Sequence, residues 1–156
     1  MDKSTVVKVL NRDNGTVTYS IPEMNGLRRV FYAGETKEVT LEELEKLSYI
    51  PGGMALLKES LVIKDNPKIV EHVIGHVEPE YNYTRTDVIN LLKNGSLDEF
   101  LDCLDFAPNG VIELIKYYAV ELPLNDVSKR EAIFNKTGFN VDNAIRIKKE
   151  AAMPVK

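Results

Sequence analysis

Hydrophobic and polar residues alternate along the first part of the chain with a period of two, which is the pattern of a half-buried β-strand. Residues 5–11 and 16–21 both show this alternation, and β-branched side chains are frequent in each segment. Asn14 and Gly15 lie between the two segments, and this pair favours the positive φ angles of a tight reversal. The pattern therefore predicts two strands joined as a β-hairpin.

Further strand-like segments follow at residues 28–32, 37–39 and 61–63, the first of them after a turn predicted at Asn25 and Gly26. Between the last two segments, Thr40 and Glu43 have the spacing of a capping box, and leucines recur every three residues after Thr40. A helix is expected there. Residues 1–66 are therefore predicted to form a small β-barrel or β-sandwich-like module with a helical insertion.

The hydrophobic period changes to 3.6 residues from Thr84 onward, which predicts helices. Residues 67–83 contain Pro67, Gly75, Pro79 and a polar stretch, and they are predicted to be a linker, although Pro67 could also open a short helix. Residues 84–156 are divided by glycine and proline into four or five helical segments and end in a basic tail. The predicted fold class is therefore α+β, a β-rich module followed by a C-terminal bundle of short helices.

Composition and charge narrow the functional classes. The chain has 156 residues and a formal net charge of -4, which argues against a surface built throughout for phosphate backbones. Cys103 is the only cysteine, so that neither an internal disulfide nor a thiolate zinc cluster can form, and its apolar neighbours predict a buried thiol. The apolar runs are too short for a signal peptide or a membrane span, which indicates a chain made in the cytoplasm without membrane contact.

Residue types that carry chemistry do not converge in the sequence. The glycines lack the lysine and the hydroxyl residue of a P-loop, and the densest acidic group is predicted to be the solvated face of a helix. Its members are Asp98, Glu99, Asp102 and Asp105. We therefore expect no cofactor, no metal, no catalytic residues and no enzymatic activity.

Two histidines are the one weak indication of a metal site. His72 and His76 are four residues apart, which on a continuous helix would place both imidazoles on one side. Gly75 interrupts that helix, and a structural or surface role is favoured. Whether the two side chains share a site is left open by the sequence.

Basic residues gather at the C-terminal end of the chain. The candidates for contact with nucleic acid or a protein partner are Lys129, Arg130, Arg146, Lys148 and Lys149, with Lys156 beyond them. Helices meeting near Gly138 could resemble a helix-turn-helix whose cations touch phosphates. Alternatively, cations near the C-terminus of a helix complement its macrodipole.

The strand-rich module offers a second candidate surface. Arg28, Arg29, Phe31 and Tyr32 combine the arginine and aromatic side chains that anchor protein interfaces. The aromatic residues could equally belong to the core of the module, and the sequence leaves both interpretations open.

Seven segments of the chain carry a further pattern: residues 28–35, 39–44, 51–53, 94–101, 105–108, 129–132 and 137–140. Together they resemble a family of small proteins encoded by tailed bacteriophages and prophages. The resemblance covers most of the chain but carries no active-site motif. It implies a non-enzymatic phage accessory protein that binds other proteins, as a capsid-associated, decoration or head-completion subunit of the virion.

The same resemblance implies where such a protein would act and with what. Its partners would be other phage proteins near the capsid or the portal, with a homo-oligomer also possible, and it would be found in the virion and, during assembly, in the host cytoplasm. The alternative is an early phage protein that binds nucleic acid or a host regulator through its basic C-terminal helices.

Overall fold

The computed structural model describes residues 1–153, which contain five strands and eight α-helices. Six of the helices follow the last strand. The strands form two small antiparallel sheets, and the last of them ends at Ile63. The predicted α+β class is therefore confirmed. The sheets have three and two strands and stay open, so the predicted β-barrel is wrong. Strands of three to six residues are too short and too few to close a barrel.

The strands are β1 (Val6–Asn11), β2 (Val17–Ile21), β3 (Leu27–Phe31), β4 (Thr36–Thr40) and β5 (Leu61–Ile63). β1 lies between β4 and β5 in one sheet, while β2 and β3 form the other, with their reversal at Asn25 and Gly26. The predicted hairpin between β1 and β2 is therefore wrong. β1 takes both of its partners from later in the chain, and the buried Asn11 amide donates to the Gly15 carbonyl and so holds the intervening loop.

The helices are α1 (Leu41–Tyr49), α2 (Gly53–Glu59), α3 (Pro67–Val73), α4 (Arg85–Asn94), α5 (Leu97–Phe106), α6 (Asn109–Glu121), α7 (Val127–Thr137) and α8 (Val141–Ala151). Polar side chains just before α1, α5, α7 and α8 each accept a hydrogen bond from the backbone N–H three residues later. Gly138 ends α7 with a φ of 77°, a value that glycine adopts without strain. Local sequence signals therefore set most helix boundaries.

Residues 67–83, predicted to be a linker, are instead folded against the strands. They contain α3 and a 3₁₀ turn at Pro79–Asn82. Ile69, Val70 and Val73 bury one side of α3, and the Tyr81 hydroxyl accepts a 2.8 Å hydrogen bond from the Ile63 N–H at the outer edge of β5. Because these apolar residues recur at helical spacing, the segment packs against the first core instead of forming an extended linker.

Buried hydrophobic side chains form two clusters along the chain. The first core extends from Val7 to Tyr81 and includes side chains from both sheets and from α1 to α3. The second core extends from Val88 to Val141 and is built by the helices from α4 onward.

A buried arginine joins the two cores. The Nε of Arg12 donates to the Glu59 carbonyl at the end of α2 over 2.9 Å, and its Nη1 donates to the Tyr81 carbonyl over 2.6 Å. Longer bonds of 3.3 Å reach the carbonyls of Lys58 and Tyr83. Tyr83 packs against the second core, whereas Tyr81 belongs to the first, so the guanidinium links α2 to the chain that enters α4.

Candidate functional site

Only part of the candidate surface on the strands is exposed. Phe31 is completely buried and stacks on Tyr19, with 6.1 Å between ring centroids. The prediction that Phe31 belongs to a binding surface is therefore wrong, and its alternative interpretation as a core residue is confirmed. Tyr32, the next residue, is 64% exposed, and Arg28 is also exposed. Because successive side chains of a strand point to opposite faces, Phe31 and Tyr32 could not share one surface.

Arg29 has a structural partner. Its guanidinium donates to both carboxylate oxygens of Glu43, at 2.8 to 3.2 Å, and the Tyr19 hydroxyl donates to the same carboxylate at 2.5 Å. Burial, together with the acidic Glu43 acceptor, raises the pKa of Tyr19, and the same carboxylate raises the pKa of Arg29. Glu43 is buried, so that Arg29 and Tyr19 serve to satisfy a carboxylate beneath the β2–β3 sheet.

Lys129 is a structural residue and not a surface cation. Its side chain is buried, and its ammonium donates to the carbonyls of Leu91 and Leu92 in the last turn of α4 while lying over the ring of Phe100. The Leu91 carbonyl also accepts from the Gly95 N–H, and carbonyls of the last helical turn otherwise lack donors within the helix. A cation there also meets the negative end of the macrodipole. Lys129 therefore does not belong to an accessible basic surface.

The remaining basic candidates divide into paired and unpaired groups. Arg130 forms an ion pair with Asp142, and Lys148 forms one with Glu121 at 2.6 Å. Arg146 and Lys149 are exposed and have no carboxylate partner among residues 1–153. The Arg146 guanidinium donates only to the Asn143 side chain. Lys156 lies outside the described residues.

The two histidines lie beside different carboxylates. The Nε2 of His72 lies 3.6 Å from a carboxylate oxygen of Glu45, and that of His76 lies 3.7 Å from one of Glu78. Across residues 1–153 no group of three histidine, cysteine or acidic side chains is placed to hold a metal ion. Each imidazole therefore faces its own single carboxylate at the surface.

Cys103 is buried in the second core, as predicted. Burial raises the pKa of its thiol to about 12, and the nearby carboxylates of Glu80 and Asp102 add to the increase. A thiol with so high a pKa holds its proton at neutral pH and is a poor nucleophile.

A cleft of about 620 Å³ lies beside β5. Its walls come from the end of β5, from α3 and from residues 75–84, with Tyr81 at the base and His76 and Glu71 at the rim. Burial raises the pKa of Tyr81, whose hydroxyl is already engaged at the strand edge.

A groove between α7 and α8 exposes apolar side chains that the second core does not use. Val127 and Phe134 are two turns apart on α7 and are 58% and 51% exposed. With Arg130 and the start of α8 they line a depression of about 500 Å³. We call this depression the α7–α8 groove.

α5 carries the acidic group predicted to face solvent, and all four carboxylates are exposed. Beside them, Leu97 and Leu101 are 40% and 41% exposed, although their spacing from Leu104, seven and three residues, is typical of one apolar helix face. The buried face of α5 is narrower than that spacing predicts, because it consists of Phe100, Cys103 and Leu104, which pack into the second core. We call Leu97, Leu101 and the row Asp98, Asp102 and Asp105 the α5 ridge.

Comparisons with protein-family models, with curated proteins and with solved structures find no significant match to the chain. Within residues 1–153 no helix is both long enough and apolar enough to cross a membrane. The α7–α8 groove and the α5 ridge both expose apolar side chains of the helical half.

Proposed function

We propose that this chain is a non-enzymatic bacteriophage accessory protein that binds other proteins, as a capsid-associated, decoration or head-completion component of the virion. The observation that carries the proposal is the α7–α8 groove. Its apolar side chains, Val127 and Phe134, point away from a core that is complete without them. Exposed apolar side chains arranged along one groove are typical of protein interaction sites.

The polar groups of the groove also suit a protein partner. Arg130, Glu131, Asn135 and Asn140 surround the apolar side chains, so that a rim of hydrogen-bonding groups encloses an apolar centre. This is the arrangement of protein interfaces, in which the buried centre supplies affinity and the rim supplies orientation. Arginine next to an aromatic side chain is also the composition of interface hot spots.

The phage assignment is supported by the sequence resemblance described above. Residues 129–132 and 137–140 are among the segments that resemble small phage proteins, and they lie in or beside the α7–α8 groove. The partners would therefore be other phage proteins, near the capsid or the portal.

The alternative is an early phage protein that binds nucleic acid or a host regulator. Arg146 and Lys149 support it, because both are exposed and lie on the same helix, α8. Lys129, Arg130 and Lys148 do not strengthen it, since the first is buried and the other two are paired with carboxylates. Two unpaired cations form a small electrostatic footprint for a nucleic-acid protein.

Mass spectrometry of purified particles from the phage or prophage that encodes the chain tests the proposal. We expect the chain in the particles, and we expect Phe134→Asp to reduce its amount because the charge would have to be buried in the interface. Tyr49→Asp is the matched control, since Tyr49 is 84% exposed on α1 and far from the groove in the fold. Absence of the unmodified chain from particles, together with salt-dependent DNA binding that Arg146→Glu/Lys149→Glu abolishes, would support the alternative instead.

A further inference from the structure

We propose that Asn14 is a site of spontaneous deamidation, at which the backbone nitrogen of Gly15 attacks the Asn14 side chain and leaves aspartate or isoaspartate in its place. This inference goes beyond the proposed binding role and does not depend on it. Four asparagines of the chain are followed by glycine: Asn14, Asn25, Asn94 and Asn109. The structure separates them by how firmly it holds the peptide group between asparagine and glycine.

The reaction needs only the two residues and water. The Gly15 nitrogen gives up its proton and forms a bond to Cγ of Asn14, while the side-chain nitrogen takes up a proton and leaves as ammonia. Water then opens the resulting five-membered succinimide, so that one water is consumed for each ammonia released. Addition of water at Cγ gives aspartate, and addition at the backbone carbonyl carbon gives isoaspartate. Glycine favours the attack, because it has no Cβ to hinder its nitrogen.

The peptide group between Asn14 and Gly15 is held by no hydrogen bond from residues 1–153. Both residues are exposed and lie in a bend between β1 and β2. Neither the Asn14 carbonyl nor the Gly15 N–H has a partner in that part of the chain, and a Cβ placed on Gly15 would meet no atom within 4 Å. The peptide group can therefore rotate toward Cγ, while the Gly15 carbonyl stays bonded to the Asn11 amide.

Two of the other pairs are held at the ends of helices. After the last residue of α4, the Gly95 N–H donates to the Leu91 carbonyl over 3.0 Å, and a Cβ on Gly95 would lie 2.6 Å from that oxygen. Asn109 and Gly110 begin α6, and a Cβ on Gly110 would lie 1.8 Å from the Glu59 carbonyl oxygen. Attack at either pair therefore requires the end of a helix to open first.

The remaining pair, Asn25 and Gly26, forms the reversal between β2 and β3. Asn25 has a φ of 58°, and the strands pair directly beside the turn, with Ile21 opposite Leu27. Ring closure requires the glycine nitrogen to rotate to the side of the Cα–C bond that carries Cβ, and the paired strands oppose this rotation. The Gly26 N–H bond to the Pro22 carbonyl is long, at 3.4 Å, so we expect this pair to react second.

The modified residue would lie where the two cores meet. Asn14 lines a depression of about 400 Å³ together with Glu59 and Glu113. The carbonyl of Asp13, the preceding residue, accepts a 3.0 Å hydrogen bond from Arg85 of α4. Both products add a carboxylate beside the two glutamates, and isoaspartate also lengthens the backbone by one methylene. Stored protein should therefore accumulate a more acidic form that is altered at this boundary.

Mass spectrometry of the folded chain tests the proposal after incubation for days at mildly alkaline pH, which favours deprotonation of the Gly15 nitrogen. Tandem spectra of the tryptic peptide 13–28 distinguish Asn14 from Asn25, and an isoaspartyl methyltransferase detects isoaspartate. A sample digested at the start gives the background. We expect Asn14 to convert at least about tenfold faster than Asn94 and Asn109, because those two need a local opening.

Variants and an unfolded sample identify the route. Asn14→Gln should prevent conversion at this position, because the longer side chain closes a ring less readily. Gly15→Ala should slow conversion several-fold, because a methyl group hinders the attacking nitrogen, and it should leave the fold intact, since the site is open. Asn25→Gln is the matched control and should leave the rate at Asn14 unchanged. In concentrated urea all four pairs should react at similar rates, because the fold no longer distinguishes them.

Three results would overturn this inference. Asn94 or Asn109 could convert as fast as Asn14 in the folded chain, which would show that the helix ends do not protect them. Gly15→Ala could convert as fast as the unmodified chain, which would exclude attack by this backbone nitrogen. The advantage of Asn14 could also persist in urea, and the preference would then belong to the local sequence and not to the structure.

Discussion

Replacing Arg12 tests how the two halves of the molecule are held together. Arg12→Met keeps the length of an apolar stem but removes every N–H donor and the charge. The carbonyls of Glu59 and Tyr81 lose hydrogen bonds of 2.9 and 2.6 Å, and those of Lys58 and Tyr83 lose bonds of 3.3 Å. The side chain also leaves the face of the Tyr81 ring, whose centroid is 5.6 Å from the guanidinium carbon.

The two short bonds dominate the expected effect. A hydrogen bond with a charged donor contributes about 1.5–3 kcal/mol, so that their loss costs about 3–6 kcal/mol. Burial lowers the pKa of Arg12, because the charged guanidinium loses hydration in the interior. Methionine carries no charge and avoids this desolvation penalty. We therefore expect the free energy of unfolding to fall by about 3–5 kcal/mol, a large part of the roughly 5–15 kcal/mol of a typical domain.

Urea denaturation and thermal melting measure this effect. For a chain of this size, a loss of about 3–5 kcal/mol corresponds to a melting temperature lower by roughly 6–20 °C. Arg12→Lys should not restore stability, because a single ammonium cannot reach acceptors on both sides of the boundary. Arg28→Met makes the same chemical change at an exposed position and should alter the free energy by less than about 0.5 kcal/mol. If Arg12→Met lies within about 1 kcal/mol of the unmodified chain, the structural role assigned to this arginine is refuted.

Further predictions concern buried groups. Lys129→Met should lower the free energy of unfolding by about 2–3 kcal/mol in urea denaturation, because carbonyls at the end of α4 lose their donor. Phe31→Ala should lower it by about 3–5 kcal/mol, and Tyr32→Ala by less than about 0.5 kcal/mol. At pH 8 a disulfide reagent should label Cys103 only as fast as the chain unfolds, since burial raises the pKa of the thiol to about 12. Above about pH 10, stability should fall more steeply than in Tyr19→Phe, because the raised pKa of Tyr19 lets the folded state keep a proton that the unfolded state loses.

The sequence allowed the helices to be placed but not the pairing of the strands. Helix boundaries depend on neighbours in the chain, such as Ser96, whose hydroxyl accepts from the Glu99 N–H, and Gly138. Strand partners depend on distant residues, and the alternation in β1 is equally compatible with β2, β4 or β5 beside it. Asn14-Gly15 favoured the local hairpin, but a sheet centred on β1 buries Val7 and Val9 against later segments.

Two charged side chains, Lys129 and Glu43, turned out to be buried. Lys129 precedes Ala132 and Ile133 by three and four residues, which places it on the buried face of α7, and this spacing was the available signal. Glu43 lies in the same way between Leu41 and Leu44 on α1. The sequence could not show which groups form hydrogen bonds with these buried charges, because each partner lies on a distant element.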